Sequence, residues 1–154
     1  MLIKTIGRPK KVSVAVCKKA ANFYGKKLLS KALFEKIELE LEFNSEDMSR
    51  DVYGYCDWIT DNHRPRDFTI TIRPNLSKKQ TLLALAHEMV HLKQYAKGEL
   101  KDYMRKHKVK FNNKVYDQAK IDYWEQPWEI EAHGREKGLY YYFLNDERKS
   151  DGLR

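Results

Sequence analysis

The sequence predicts an α+β domain. The expectation rests on one strictly alternating segment, one long apolar helix signal bounded by cap residues, and turn residues separating further strand-like runs. At 154 residues the chain suits a single domain, residues 1–154, with a genuine hydrophobic core. After a short basic lead, residues 14–32 carry Val16, Ala20, Phe23, Tyr24 and Leu28 at helical spacing with lysines elsewhere, which predicts an N-terminal helix. "KIELELEF", residues 36–43, places Ile37, Leu39, Leu41 and Phe43 on one face and glutamates on the other, the pattern of a half-buried strand. "NSEDMSRD" reads as a loop. "VYGYCDWI" (52–59) and "DFTITIRP" (from Asp67) are two further strands joined by the turn-like "TDNHRPR", so a small, mostly antiparallel sheet is expected.

Ser77 is placed to cap a helix from about Lys78 to Lys97 that ends near Gly98. "KVKFNNKVYD" predicts a hairpin around Asn112-Asn113, or an ordered loop if the pairing fails. Pro127 fits the first turn of a last helix reaching about Leu144. The expected order is helix, three strands, helix, hairpin, helix.

Composition narrows the function classes. An apolar fraction of 42% with three tryptophans and ten tyrosines argues against disorder. The apolar stretches are too short to span a membrane, so no membrane partner is expected. The start "MLIKTIGRPKK" lacks the apolar core of a secretory signal. Cys17 and Cys56 make no disulfide framework. These features lead to the expectation of a soluble, cytoplasmic protein. A net charge of +8, with lysine pairs and the run "RKHKVK" (Arg105 to Lys110), predicts non-specific association with DNA or other polyanions. Without a helix-turn-helix, zinc-finger spacing or RNA-binding aromatic motif, sequence-specific reading is not expected.

"LALAHEMVHLKQY", residues 83–95, sets His87, Glu88 and His91 in an apolar helix, where ionisable groups are costly unless neutralised. Histidines four residues apart project from one helix face and can meet one metal ion. Glu88 is rotated by about a quarter turn, within reach of a water at that metal without being a ligand. Zinc lowers the pKa of such a water to about 7, and Glu88 would act as its general base.

A catalytic zinc needs a third protein ligand and an open position. A metzincin continuation would need glycine and histidine where Gln94 and Lys97 stand, so that class is excluded. His107 is surrounded by Arg105, Lys106, Lys108 and Lys110, whose positive field opposes a cation. The remaining candidates lie in "PWEIEAHGRE". There Glu129, His133, Glu136 and Tyr140 form a polar stripe, and Trp128, Ala132, Leu139 and Tyr142 an apolar one. Glu131 points away from Glu129 and reads as a solvated carboxylate or a partner of Arg135. A di-iron carboxylate site would need a second E-x-x-H, which the chain lacks.

"AHEMVHLKQYAKGEL", "NNKVYD" and "YWEQPWEIEAHGRE", in that order, are similar to small SprT-like, zincin-type metallopeptidases encoded by phages, over roughly residues 80–143. "EIEAH" further resembles the third-ligand helix of gluzincins. The resemblance implies a zincin-like fold whose central helix carries H-E-x-x-H and whose C-terminal helix carries the third ligand. It implies one Zn2+ per chain, held by His87, His91 and Glu129, with Glu88 catalytic and a protein or peptide substrate. His133 takes the place of the acidic residue that steadies a ligating histidine in that family, which leaves Glu131, or His133 itself, as alternative ligands. It also implies action inside a host cell. Zincins present an edge strand to an extended peptide, and "DFTITIRP" is the expected strand. Tyr95, Tyr123, His133 and Tyr140 are candidate donors to a transition-state oxyanion. The alternative reading is a basic nucleic-acid-associated protein whose zinc site is structural or degenerate.

Overall fold

In the computed structural model the chain runs β1 (Leu2–Ile6), α1 (Val14–Leu28), α2 (Lys31–Glu35), β2 (Glu38–Phe43), β3 (Gly54–Trp58), β4 (Asp67–Ile72), α3 (Lys78–Ala96), β5 (Leu100–Asp102), β6 (Lys108–Phe111), β7 (Lys114–Asp117) and α4 (Pro127–Gly152). One-turn 3-10 helices, Gln118–Lys120 and Tyr123–Glu125, lead into α4. Residues 1–59, 64–103 and 107–152 are described; residues 60–63 in the expected turn, 104–106 at the start of the basic run, and 153–154 lie outside them. The architecture is α+β, with a four-stranded mixed sheet and a separate three-stranded antiparallel one.

The first sheet has the order β1-β2-β4-β3. It departs from the expected mostly antiparallel sheet, because β1 pairs parallel with β2, β2 pairs parallel with β4, and only β3 runs antiparallel to β4. Two features cause this: β4 inserts between β2 and β3 instead of β3 pairing with β2, and a first strand, β1, lies concealed in the short basic lead. The α1–α2 connection then returns the chain to β2 in the same direction, as a long crossover requires. A second correction concerns the strand at the edge. β4 lies between β2 and β3, so the edge on that side is β3 and not "DFTITIRP".

Strand alternation does what the sequence implies. Leu39, Leu41 and Phe43 of β2 and Phe68, Ile70 and Ile72 of β4 are buried on one face. Against them pack Tyr24 of α1 and Leu82, Leu85, Met89 and Leu92 of α3, all fully buried. The N-terminal helical region is two helices, because the Ser30 side chain accepts from Leu33 N–H and caps a new start. α3 begins with the full capping box expected of Ser77: its Oγ accepts from Gln80 N–H at 3.1 Å and the Gln80 side chain accepts from Ser77 N–H at 3.0 Å. It ends at Gly98, whose φ of +71° is strained for any residue with a Cβ.

The second sheet, β5-β6-β7, holds the Asn112-Asn113 hairpin, with φ of 46° and 68° at its two central residues. Its core of Leu100, Val109 and Phe111 packs on Trp128 of α4. α4 runs eight residues past the expected end at Leu144, to Gly152. Within it Tyr140 is 9% exposed and Tyr142 62% exposed, the reverse of the faces expected for them. α4 crosses α3, and α3 lies on β3 and β4, so one helix touches every wall of the site.

Candidate metal centre and its cleft

From Thr81 to Ala96 α3 is buried on nearly every side, so its polar groups must find partners inside the protein. His87 and His91 turn one ring edge each toward the first turn of α4. Their Nε2 atoms are 3.1 Å apart. Glu129 Oε2 lies 3.2 Å from His87 Nε2, and its Oε1 lies 3.3 Å from His91 Nε2. Donor atoms bound at about 2.0–2.1 Å to a tetrahedral zinc stand about 3.3–3.4 Å apart, so this spacing fits such an ion.

The proton positions strengthen the fit. Gln94 is fully buried, and its amide nitrogen donates to the Trp128 carbonyl at 3.0 Å and to Glu131 Oε2 at 2.9 Å. Its Oε1 therefore faces His91 Nδ1, 2.9 Å away, and can only accept. Glu136 Oε2 lies 2.8 Å from His87 Nδ1 and, as a carboxylate, also accepts. Both Nδ1 atoms carry the hydrogen, and both Nε2 lone pairs point at each other and at the Glu129 carboxylate. Such a convergence of acceptors suits a cation, whether a metal ion or a proton. Burial opposes charge on His87, but hydrogen bonds with Glu129 and Glu136 outweigh it and raise its pKa to about 10. Burial likewise opposes ionised Glu129, yet the two histidines and Tyr123 hold it well below the usual carboxylate range. The described residues thus include a buried His87, His91, Glu129 group able to hold a metal ion.

The other candidates take separate places. Glu131 faces away from the histidines and joins Lys93, Gln94 and Arg135, the last at 3.1 Å. His133 lies above His87 with ring centroids 4.5 Å apart; its Nδ1 is 3.4 Å from Glu136 and its Nε2 is 2.9 Å from the Tyr123 hydroxyl. That hydroxyl also donates to Glu129 Oε2 at 2.8 Å. Tyr95 lines the cleft, packed at a tilt against Trp58 with ring centroids 4.2 Å apart. Tyr140 packs in the core and is not among the cleft's lining residues. His107 is exposed, with φ of 61°. Gln94 and Glu136 are the residues whose task here escaped sequence reading.

Glu88 shares the cleft without sharing the triad. It is buried, and burial is the largest influence raising its pKa, partly offset by the two histidines. Gly54 of β3 lies against it: a Cβ on Gly54 would stand 3.3 Å from Glu88 Cγ and 2.9 Å from the Thr71 carbonyl oxygen. The edge strand thus passes directly beside the glutamate. Around them is a cleft of about 730 Å3, walled by the β3 side (Val52 to Cys56) and by the Tyr123–Trp124 turn, with α3 as its floor. No described helix is long and apolar enough to cross a membrane. Cys17 and Cys56 are both free thiols. Among known proteins, the chain matches no family model, no curated sequence and no solved structure.

Proposed function

We propose that the protein is a zinc-dependent metallopeptidase of zincin-like design, acting on peptide or protein substrates. The observation that carries the reading is the triangle of His87 Nε2, His91 Nε2 and Glu129, with sides of 3.1–3.3 Å, beside a buried glutamate and an open strand edge. A zinc ion in that triangle supplies a Lewis acid and makes hydroxide available near neutral pH. The chain's own groups do the rest. Glu88 accepts a proton from the attacking water on its carboxylate and delivers it to the departing amine nitrogen. Burial raises its pKa, which makes its carboxylate a stronger base than a solvated one. β3 offers its free edge to an extended peptide, which brings a carbonyl over Glu88. Tyr123 and His133, which line the cleft beside the triangle, are the candidate donors for the oxyanion that forms there.

The test is metal analysis of protein purified without chelator, paired with Glu88→Gln. About one zinc per chain is expected, lost in His87→Ala and His91→Ala. Glu88→Gln should keep the zinc and lose peptide cleavage. Full zinc occupancy in both histidine variants, or undiminished cleavage by Glu88→Gln, rejects the reading.

A second reading, polyanion binding with a structural or degenerate zinc site, draws on the outer face of β5-β6-β7. Lys101 stands directly across from Lys110 there, a like-charge cross-strand pair that a bound polyanion would relieve. Salt-dependent DNA binding that His87→Ala retains, together with no cleavage by the wild type, would favour it.

A further inference from the structure

The chain carries 30 lysines and arginines, yet none is among the described residues that line the cleft. The acidic side chains that do are Asp51, Glu88, Glu129 and Glu136, and with a metal in the triad His87 and His91 would be neutral ligands. Two positive charges from a divalent ion in the triad would still leave the carboxylates in excess. The basic exterior does not cancel this locally, since exposed charges are screened over about 8 Å at physiological salt. The cleft rim is also aromatic. Trp124 is 65% exposed and Tyr53 43% exposed, on the two walls between which a peptide would lie. Exposed rings of this kind attract cationic and aromatic side chains through the ring face.

We infer that the cleft selects its peptide by charge, taking internal segments with lysine, arginine or aromatic residues near the scissile bond and rejecting aspartate and glutamate. Asp51 and Trp124 are the residues that set this preference, from the β3 side and from the turn before α4. A carboxylate on the substrate would face Asp51, Glu129 and Glu136 with no described lysine or arginine in the lining to meet it. Among the described residues no lysine or arginine lines the cleft to dock a free C-terminal carboxylate, so the test peptides are blocked at both ends. The inference rests on the peptidase reading for the cleavage step, but the selection itself is a binding property and can be read without turnover.

The experiment uses a mixture of short end-blocked peptides randomised over a few central positions. Zinc-loaded protein digests one portion, and mass spectrometry reads the residues flanking each cleaved bond. Immobilised Glu88→Gln protein selects from another portion, and the bound peptides are sequenced. Lysine, arginine and aromatic residues are expected about tenfold enriched over aspartate and glutamate in both arms. Asp51→Asn and Trp124→Ala should each cut the lysine-to-glutamate ratio several-fold. Equal use of acidic and basic residues, or a ratio that neither substitution moves, overturns the inference. Selective binding without any cleavage would remove the peptidase reading and leave the charge selection standing. Neither binding nor cleavage would remove both.

Discussion

Glu136 Oε2 lies 2.8 Å from His87 Nδ1, so a carboxylate on α4 decides which ring nitrogen of a histidine on α3 carries the proton. Gln94 does the same for His91 from within α3, at 2.9 Å. The two contacts leave both Nε2 lone pairs facing Glu129. Groups that orient a ligand in this way are worth about 10–100-fold in metal affinity. Glu136→Ala and Gln94→Leu should therefore each weaken zinc binding by about that factor in competition with a coloured chelator, while the stoichiometry stays near one. Unchanged affinity in both would mean that the rings are held by packing alone.

Glu129 and Glu131 are two residues apart and serve different partners. Glu129→Ala removes an oxygen from the triangle and should abolish stoichiometric zinc. Glu131→Ala should keep the zinc and cost about 1–3 kcal/mol in urea unfolding, because Lys93, with its side chain only 8% exposed, would retain Glu99 alone. The reverse outcome would exchange their roles.

The same Glu131 sets an acid limit on stability. Burial raises its pKa, but Lys93, Gln94 and Arg135 prevail and hold it below 4.5. A depressed folded pKa gives stability that is complete above the unfolded value and is lost as pH falls through the folded one. As pH falls from neutral through and below the ordinary glutamate range, the wild type should lose stability more steeply than Glu131→Gln, measured by urea titration at each pH. Parallel curves would remove Glu131 from the acid response.

The hairpin turn carries two asparagines at positive φ, of 46° and 68°. Glycine occupies that conformation without a Cβ clash, and Asn-Gly is the preferred pair for such a turn. Asn113→Gly should raise the thermal midpoint, with a gain of about 0.5–1 kcal/mol, and Asn113→Val should lower it. A lowered midpoint for the glycine variant would show that the Asn113 side chain itself holds the turn.

Local signals made much of this legible, and non-local pairing hid the rest. Ser77, Gln80 and Gly98 mark α3 because caps act within a few residues of the chain, and Leu39 and Leu41 mark β2 because alternation is a property of one strand. β1 has only five residues, with Lys4 and Thr5 among them. It is a strand because the free edge of β2 accepts it, which no window of sequence records. Gln94 and Glu136 are similar cases. Each looks like an ordinary polar residue until α3 and α4 cross and the two histidine rings need acceptors.

The approach of β3 to α3 gives the sharpest structural test. A Cβ on Gly54 would lie 2.8 Å from Ile72 Cδ1, 2.9 Å from the Thr71 carbonyl oxygen and 3.3 Å from Glu88 Cγ. The isoleucine methyl can turn aside, but the carbonyl belongs to the neighbouring strand's backbone and cannot move without loosening the β3–β4 ladder. Gly54→Ala should therefore cost about 1–3 kcal/mol, the range for overpacking a well-filled site. Zinc binding should survive, since the triangle is built by α3 and α4 and contains no β3 residue. A larger side chain, as in Gly54→Val, should displace β3 further from Glu88 and lower peptide turnover more than zinc affinity. Equal losses of zinc and of turnover would mean instead that the substitution disturbs α3 as a whole.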